Sequence, residues 1–494
     1  MKGFLASLYS PAGLFLFVLL AARLTFIQQI GLNLTPDEAY YWDWSRSLAW
    51  GYYSKPPLVA WLIHLSTLKL GHSEYAVRVP AALCHTLYLA FIYYLGQRLF
   101  DRKVGLWAAV AAAASPISAV YSFVMTIDPP LFAFWAAALC LAWQASESRK
   151  ITDFLKLGLV VGLGLLTKQT MVAFLPLYFA WLAAFPAKRD LLREKRLYLA
   201  PLLALLLFLP NLYWNMQHGW ITFKHTSTHF QEETFNWTGP LKFLLEQAGV
   251  ITPVIFGLIL LVFYTYLKRP KLRKNEKLGF LFFFSAIPLA LVLPLALLRK
   301  VNANWPHPFY ASAFVLTSAL ILRGRWPEGK GAFWRKIFFL GVVFGMFLMV
   351  TTYQLPRTPQ KFPPKIQRLL YKFYGWKELA TAATPYLKEG LPVITVRRDY
   401  AAELAFYLPQ RPRPYVFWRG SIESQYDLWD GLPDLLGQDA LLVLKHEGEI
   451  RRYGICFEEV KYLSSWEKNI FGKRRRAYFY YGYRLKDCPY LGPK

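Results

Sequence analysis

Asp37 and Glu38 stand side by side in Thr35-Pro36-Asp37-Glu38-Ala39-Tyr40-Tyr41-Trp42, directly after an apolar run at residues 11–30. A third carboxylate, Asp128, lies in Met125-Thr126-Ile127-Asp128-Pro129-Pro130, where another apolar run begins. Carboxylates in different surroundings divide labour: one takes a proton while the other orients a substrate or a metal. A plainer role is open at both places. Thr35 suits an N-cap, Pro36 the first helical position, and Asp37 and Glu38 the first turn, so these acids would cap a helix and meet its dipole. Asp128 would cap its own helix in the same way. Against capping alone stands the cost of keeping carboxylates at the edge of an apolar layer.

The cations that could hold a phosphate are Lys55, Arg78, Lys168, Arg299 and Lys300. Lys168 is the sharpest of them, because Leu166-Thr167-Lys168-Gln169-Thr170 leaves almost no loop between two apolar runs. A lysine snorkelling to the interface is its plain alternative. Amides, aromatics and histidines gather near the same segments: Tyr40 and Tyr41, His218 in Asn211–Trp220, and Asn304, Trp305 and His307 in Lys300–His307. Such mixtures recognise sugars, since ring faces stack on C–H groups while amides and acids bond hydroxyls. For Trp305 an interfacial aromatic belt is the alternative.

The elements that must position these residues are membrane helices. Of the 494 residues, 55% are hydrophobic and only 18% charged, whereas a soluble domain carries about a quarter charged residues. The 57 Lys+Arg against 30 Asp+Glu give a net charge of +27. Nucleic-acid binders do not hide such charge between long apolar runs, so no nucleic-acid partner is expected. Apolar runs near residues 11–30, 79–100, 104–123, 130–144, 154–167, 172–185, 197–214, 241–267, 278–298, 308–322 and 337–353 predict a polytopic α-helical protein of about eleven spans. With the N-terminus cytoplasmic, the cytoplasmic loops hold roughly 22 Lys/Arg and the opposite loops about 8, the asymmetry that sets orientation. Every chemistry-bearing segment then falls on the outer face. Residues 58–70 are apolar but too short to span, and are expected to lie along the interface.

Residues 354–494 break the pattern with more charge, more Pro and short strand-like runs. They predict a small outer α/β domain after a membrane domain at 1–353, whose loop 32–78 carries interfacial helices. Cys84 and Cys140 fall inside spans and are expected to be buried thiols, whereas Cys456 and Cys488 would pair in an oxidising compartment or remain two free thiols. The basic run Lys473–Arg476 suits a solvated hairpin tip or a lipid-headgroup contact. No Walker loop, dinucleotide fingerprint or Cys-x-x-Cys occurs.

The ordered set Thr35–Trp42, Lys55-Pro56-Pro57-Leu58-Val59-Ala60-Trp61, Tyr75–Leu83, Thr126–Pro129, Gly164–Gln169, Trp214–Trp220 and Ala303–Tyr310 resembles the GT-C glycosyltransferases of the protein-mannosyltransferase type. The outer domain resembles the bacterial branch that moves aminoarabinose or galacturonic acid onto lipid A or lipopolysaccharide. The resemblance implies a polyprenyl-phosphate sugar donor, a lipid A-type acceptor, transfer at the periplasmic face of the inner membrane and inversion at the anomeric carbon. It makes Asp37 the base, with Glu38 assisting and Asp128 orienting acceptor or base. It gives Lys55, Arg78, Lys168, Arg299 and Lys300 the leaving phosphate, and Tyr40, Tyr41, His218, Asn304, Trp305 and His307 the substrate. Some relatives carry a divalent metal beside the acids; this sequence shows no clear metal-ligand cluster, and the metal stays open. The rival readings are a protein O-mannosyltransferase-like enzyme, a lipid or glycan transporter and a non-catalytic scaffold. A transporter would place its polar residues near mid-membrane, whereas here they collect at one interface.

Overall fold

The computed structural model describes residues 4, 9–228, 235–324, 330–429 and 431–492. The chain divides into two compact units. One comprises Met1–Gln28 with Arg78–Tyr353, and the other Gln29–Val77 with Gln354–Lys494. Residues 29–77 therefore group with residues 354–494.

The first unit is helical. Among the described residues, five helices are long and apolar enough to cross a bilayer: Pro11–Gln29, Glu74–Leu99, Lys195–Gln217, Glu276–Leu298 and Lys330–Gln354. A sixth counts if the bent pair Gly239–Ile251 and Pro253–Lys268 is one span. The other expected runs form shorter or broken helices. The run at 104–123 divides into Arg102–Ala113 and Pro116–Tyr121. Pro116 removes a backbone donor there, and the Ser115 and Ser118 hydroxyls donate to Ala112 O at 2.8 and 2.7 Å. The run at 241–267 is not one straight helix; its halves turn by 116°. Pro253 disfavours helical backbone at Thr252, which sits at φ 108° and caps the next helix by accepting from Ile255 N. Asp128–Ser148 and Ile151–Leu165 are both continuous. Gly158 and Gly162, four residues apart, let helix Ile151–Leu165 approach helix Leu199–Gln217. A Cβ at Gly158 would lie 2.6 Å from Ala200 O, and one at Gly162 2.7 Å from the Leu207 side chain. Cys140 is buried as expected, while Cys84 is only half-buried.

The second unit joins helices Pro36–Ser45 and Leu58–Leu70 to a five-stranded sheet. The strands are β1 (Val393–Thr395), β2 (Tyr415–Val416), β3 (Ala440–Leu444), β4 (Phe457–Ile470) and β5 (Lys473–Leu485), in the order β2-β1-β3-β5-β4. β1 pairs in parallel with β2 and β3; β5 is antiparallel to β3 and β4. All five β3 residues are buried, and alternate ones serve two cores. Leu441 and Val443 meet helix residues Trp376, Leu379, Tyr400 and Leu404, while Leu442 and Leu444 meet Phe417, Leu432 and Phe457. Strands thus form in the stretch with short strand-like runs, and β4 extends over 14 residues beside its antiparallel partner β5. The run Lys473–Arg476 opens β5 directly after Phe471 and Gly472, at φ 51° and 80°. Two positive φ values between the paired Ile470 and Lys473 are the signature of a tight two-residue hairpin turn. Cys456 and Cys488 are disulfide-bonded beside the Leu442 core. Helix Leu58–Leu70 leaves Leu65, Leu68 and Leu70 exposed, the habit of a helix that meets lipid.

Candidate active-site residues

In the helical unit, two side chains distant in sequence converge on one carboxylate, that of Asp128. Asp128 starts its helix, but its carboxylate does not cap it: the N-cap residue is Ile127, which makes no side-chain cap bond. Instead Asp128 Oδ1 accepts from Lys168 Nζ at 2.9 Å, and Oδ2 accepts from Asn304 Nδ2 at 2.9 Å. The pair is mostly buried, with side-chain exposures of 14% for Lys168 and 7% for Asp128. Lys168 is therefore held inward by a partner rather than snorkelling. It follows the last turn of helix Ile151–Leu165, whose Gly164 carbonyl accepts from the Lys168 backbone N–H. The Asn304 loop is pinned by Gln247, which donates to Ala303 O and accepts from the Tyr310 hydroxyl. Trp305 is half-buried against Phe243, Ala296 and Val301.

Other expected residues of this unit lie apart from that cluster's bonds. His307 is fully buried, with its ring 4.4 Å from that of Phe132 and 5.8 Å from that of Tyr88. The turn at Pro306 folds the ring into the aromatic core, where neither ring nitrogen has a hydrogen-bond partner among the described residues. Arg78 is buried near the start of helix Glu74–Leu99. Arg299 is half-buried and Lys300 exposed, just past helix Ala286–Leu298. His218 stacks on Trp214 at 3.9 Å at the end of its own helix.

In the second unit, Thr35 and Glu38 form a complete capping box. Thr35 Oγ1 accepts from Glu38 N, and Glu38 Oε2 accepts from Thr35 N at 2.9 Å. Glu38 is wholly buried and fixes where the helix begins. Asp37, one residue earlier, points outward with a side-chain exposure of 46%. Its Oδ1 accepts from Arg398 Nη2 at 3.0 Å, and among the described residues no donor reaches Oδ2. The Arg398 guanidinium also lies 4.7 Å from the Tyr40 ring centroid. Burial works against the charge on Arg398, but Asp37 and the two tyrosines outweigh it and hold its pKa above the usual arginine value.

Tyr40 was expected at the substrate. It is instead fully buried, accepts a hydrogen bond from Gln425 N–H, and carries Arg398 on its ring. Its hydroxyl is thus turned into the protein. Tyr41 is nearly buried as well. Asp43, two turns along the same helix from Asp37, fastens the helix down. Its carboxylate accepts from Arg46 at 2.6 Å, from the Tyr426 hydroxyl at 2.7 Å and from Arg413 at 3.4 Å. Burial, reinforced by Asp43, pushes the Tyr426 phenol upward, so it stays a neutral donor. Removing Asp43 strands two arginines and a buried phenol. Asp43→Ala is expected to cost about 3 kcal/mol, read as a lower unfolding midpoint for the purified protein by scanning fluorimetry.

A cavity of about 390 Å³ opens around Asp37, walled also by Lys372, Arg397, Arg398, Arg419 and Glu423. Its four cations come from the C-terminal residues, and none belongs to the set expected from the sequence. Lys55 lies half-buried outside that wall, its carbonyl accepting from Tyr52 N. A signal for Arg397 and Arg398 exists: they bridge β1 and helix Arg398–Tyr407, and the carboxyl end of a parallel strand is where ligands bind in open α/β sheets. Among the described residues, no three His, Cys, Asp or Glu side chains converge as a metal cage.

Residues 54–214 match the family described as dolichyl-phosphate-mannose-protein mannosyltransferase. Beyond that stretch, the lipid A galacturonosyltransferase RgtD of Rhizobium johnstonii is 30% identical over 412 residues, covering 81% of this chain and 84% of that protein. The chain belongs to this glycosyltransferase family. An undecaprenyl phosphate-alpha-4-amino-4-deoxy-L-arabinose arabinosyl transferase of Sodalis glossinidius is 36% identical to the glycosyltransferase over 160 residues, 28% of this chain and 29% of that one. The fold of the glycosyltransferase is that of ArnT from Cupriavidus metallidurans. The ArnT structure bound to undecaprenyl phosphate aligns with a TM-score of 0.64 at 17% identity, covering 98% of this chain and 100% of that one.

Proposed function

We propose that this glycosyltransferase moves a sugar from undecaprenyl phosphate to lipid A at the periplasmic face of the inner membrane. The observation that carries the reading is the Lys168–Asp128–Asn304 cluster. A buried cation held by a carboxylate, whose second oxygen accepts from an amide, at the ends of membrane helices, is suited to a membrane-embedded phosphate. Kinship supports the substrates: the RgtD relative is named for lipid A and galacturonic acid, and the arabinosyl transferases for undecaprenyl phosphate. The disulfide supports an oxidising compartment for the C-terminal residues. The basic loops support a cytoplasmic N-terminus, with about eleven crossings in which the short and broken helices count as partial or tilted spans.

In the proposed reaction, an acceptor oxygen of lipid A attacks the anomeric carbon and the bond from that carbon to the phosphate oxygen breaks, inverting the centre. Asp37 takes the proton of an acceptor hydroxyl; toward an acceptor phosphate, already ionised, it positions instead. Arg398 fixes the Asp37 carboxylate and leaves Oδ2 to the acceptor. Lys168 meets the negative charge that grows on the departing undecaprenyl phosphate, while Asp128 and Asn304 hold the lysine ready; Lys55, Arg78, Arg299 and Lys300 add positive charge around the lipid phosphate. Glu38, Tyr40 and Tyr41 act through the helix and Arg398 that they position; His218 and Trp305 offer ring faces for sugar.

The test is the lipid A mass spectrum of a deletion strain with and without the restored gene. The expected result is one mass increment, that of a uronic acid or an aminopentose, lost on deletion and regained on complementation. Unchanged lipid A together with altered O-glycosylated protein would favour the protein-modifying alternative.

A further inference from the structure

A second cavity, of about 690 Å³, lies in the helical unit far from the Asp128 cluster. It is walled by Lys268, Arg269, Lys271 and Arg323 together with apolar side chains, among them Phe100 and Leu278. The cations come from two places in the sequence. Lys268 ends helix Pro253–Lys268, with Arg269 and Lys271 just after it, and Arg323 ends helix Tyr310–Arg323. That second helix starts three residues after His307, next to the Asn304 loop. Its 14 residues place the two sites at opposite ends of one helix, about 20 Å apart. Among the described residues no carboxylate lines the cavity. Arg323 meets Asp101 at 3.4 Å with both side chains about half exposed, a pairing too weak to hold the arginine against a competing anion.

A wall that is mostly apolar, crowned by four cations at the basic end of a helix bundle, suits one kind of occupant. We infer that this cavity binds an anionic diacyl phospholipid, its phosphate among the four cations and its glycerol and upper acyl carbons along Phe100 and Leu278. The volume lies in the range of small-molecule sites, and basic pockets between helices at the cytoplasmic surface are where anionic headgroups are held. Undecaprenyl phosphate is assigned to the far end of the same helix, so it is not the expected occupant here. The choice of a diacyl phospholipid over undecaprenyl phosphate rests on the donor placement proposed above; the basic cavity itself does not.

Native mass spectrometry of the detergent-purified protein tests it, with palmitoyl-oleoyl phosphatidylglycerol or palmitoyl-oleoyl phosphatidylcholine added. One phosphatidylglycerol molecule is expected to survive gas-phase activation, while phosphatidylcholine is stripped. The triple variant Lys268→Gln/Lys271→Gln/Arg323→Gln is expected to lower the retained fraction at least tenfold, with the unfolding midpoint unchanged. Lys271→Glu alone, at an exposed position, is expected to weaken retention in the same direction. Equal retention of the two lipids, a phosphatidylglycerol adduct indifferent to both variants, or displacement of phosphatidylglycerol by undecaprenyl phosphate would each overturn the inference.

Discussion

Asp37→Asn is expected to reduce sugar transfer by about 10²- to 10⁴-fold, the usual worth of a positioned base. The substitution keeps shape and one acceptor oxygen, so Arg398 retains a hydrogen-bond partner while losing the charge opposite it. Asp37 is nearly half exposed, and the capping box of Thr35 and Glu38 does not involve its side chain. Folding and membrane insertion should therefore survive, and the loss should appear in turnover. Lipid A spectra from cells making equal amounts of each form provide the readout, with purified protein and a synthetic donor giving the fold-change. Full modification by the Asn variant at matched expression would remove Asp37 from the reaction and leave it a surface partner of Arg398. Arg398→Gln is a useful companion: a base held by Arg398 predicts lost turnover there too.

Lys168→Gln is expected to cost about 10² in transfer, the scale of one electrostatic stabiliser removed from a low-dielectric site. This variant has a complication that can be turned to use. Losing the ammonium leaves Asp128 buried with only Asn304 beside it, and an uncompensated buried carboxylate destabilises by about 3–5 kcal/mol. Stability and activity must be separated. The double variant Lys168→Gln/Asp128→Asn replaces the ion pair by two amides and is expected to regain most of the unfolding midpoint lost in Lys168→Gln. It should not regain transfer. If the double variant recovers both, the pair serves only to hold helices together and the leaving phosphate must be met elsewhere.

The sequence declares its membrane helices and the residues that end them because apolar runs and breaks in them are local signals. Asp128 and Lys168 stood out as charges bordering such runs, and both proved to sit in one ion pair. The cost of burying either alone is what forces them to find each other. What the sequence hides is assembly across distance. Nothing local in Pro36–Ser45 indicates that Arg398 will sit on Tyr40 or that Tyr426 will reach Asp43, since both partners lie more than 350 residues downstream. Tyr40 and His307 are ambiguous in sequence for a related reason: aromatic and imidazole groups at a boundary serve a binding site or a packed interior equally well. The break at Thr252 was hidden because an apolar run of sufficient length reads as one span whether or not its two halves are collinear.

The second unit is stitched from two stretches of chain with Arg78–Tyr353 of the helical unit between them. During translation, the stretch bearing Asp37 emerges early and then waits while Arg78–Tyr353 is made, roughly half a minute at about 10 residues per second. Until the ribosome has delivered Arg398 and Gln425, the nascent helix has neither its ion-pair partner nor the amide that anchors Tyr40. Premature stop codons late in the gene therefore strike the beginning of the polypeptide as hard as its end.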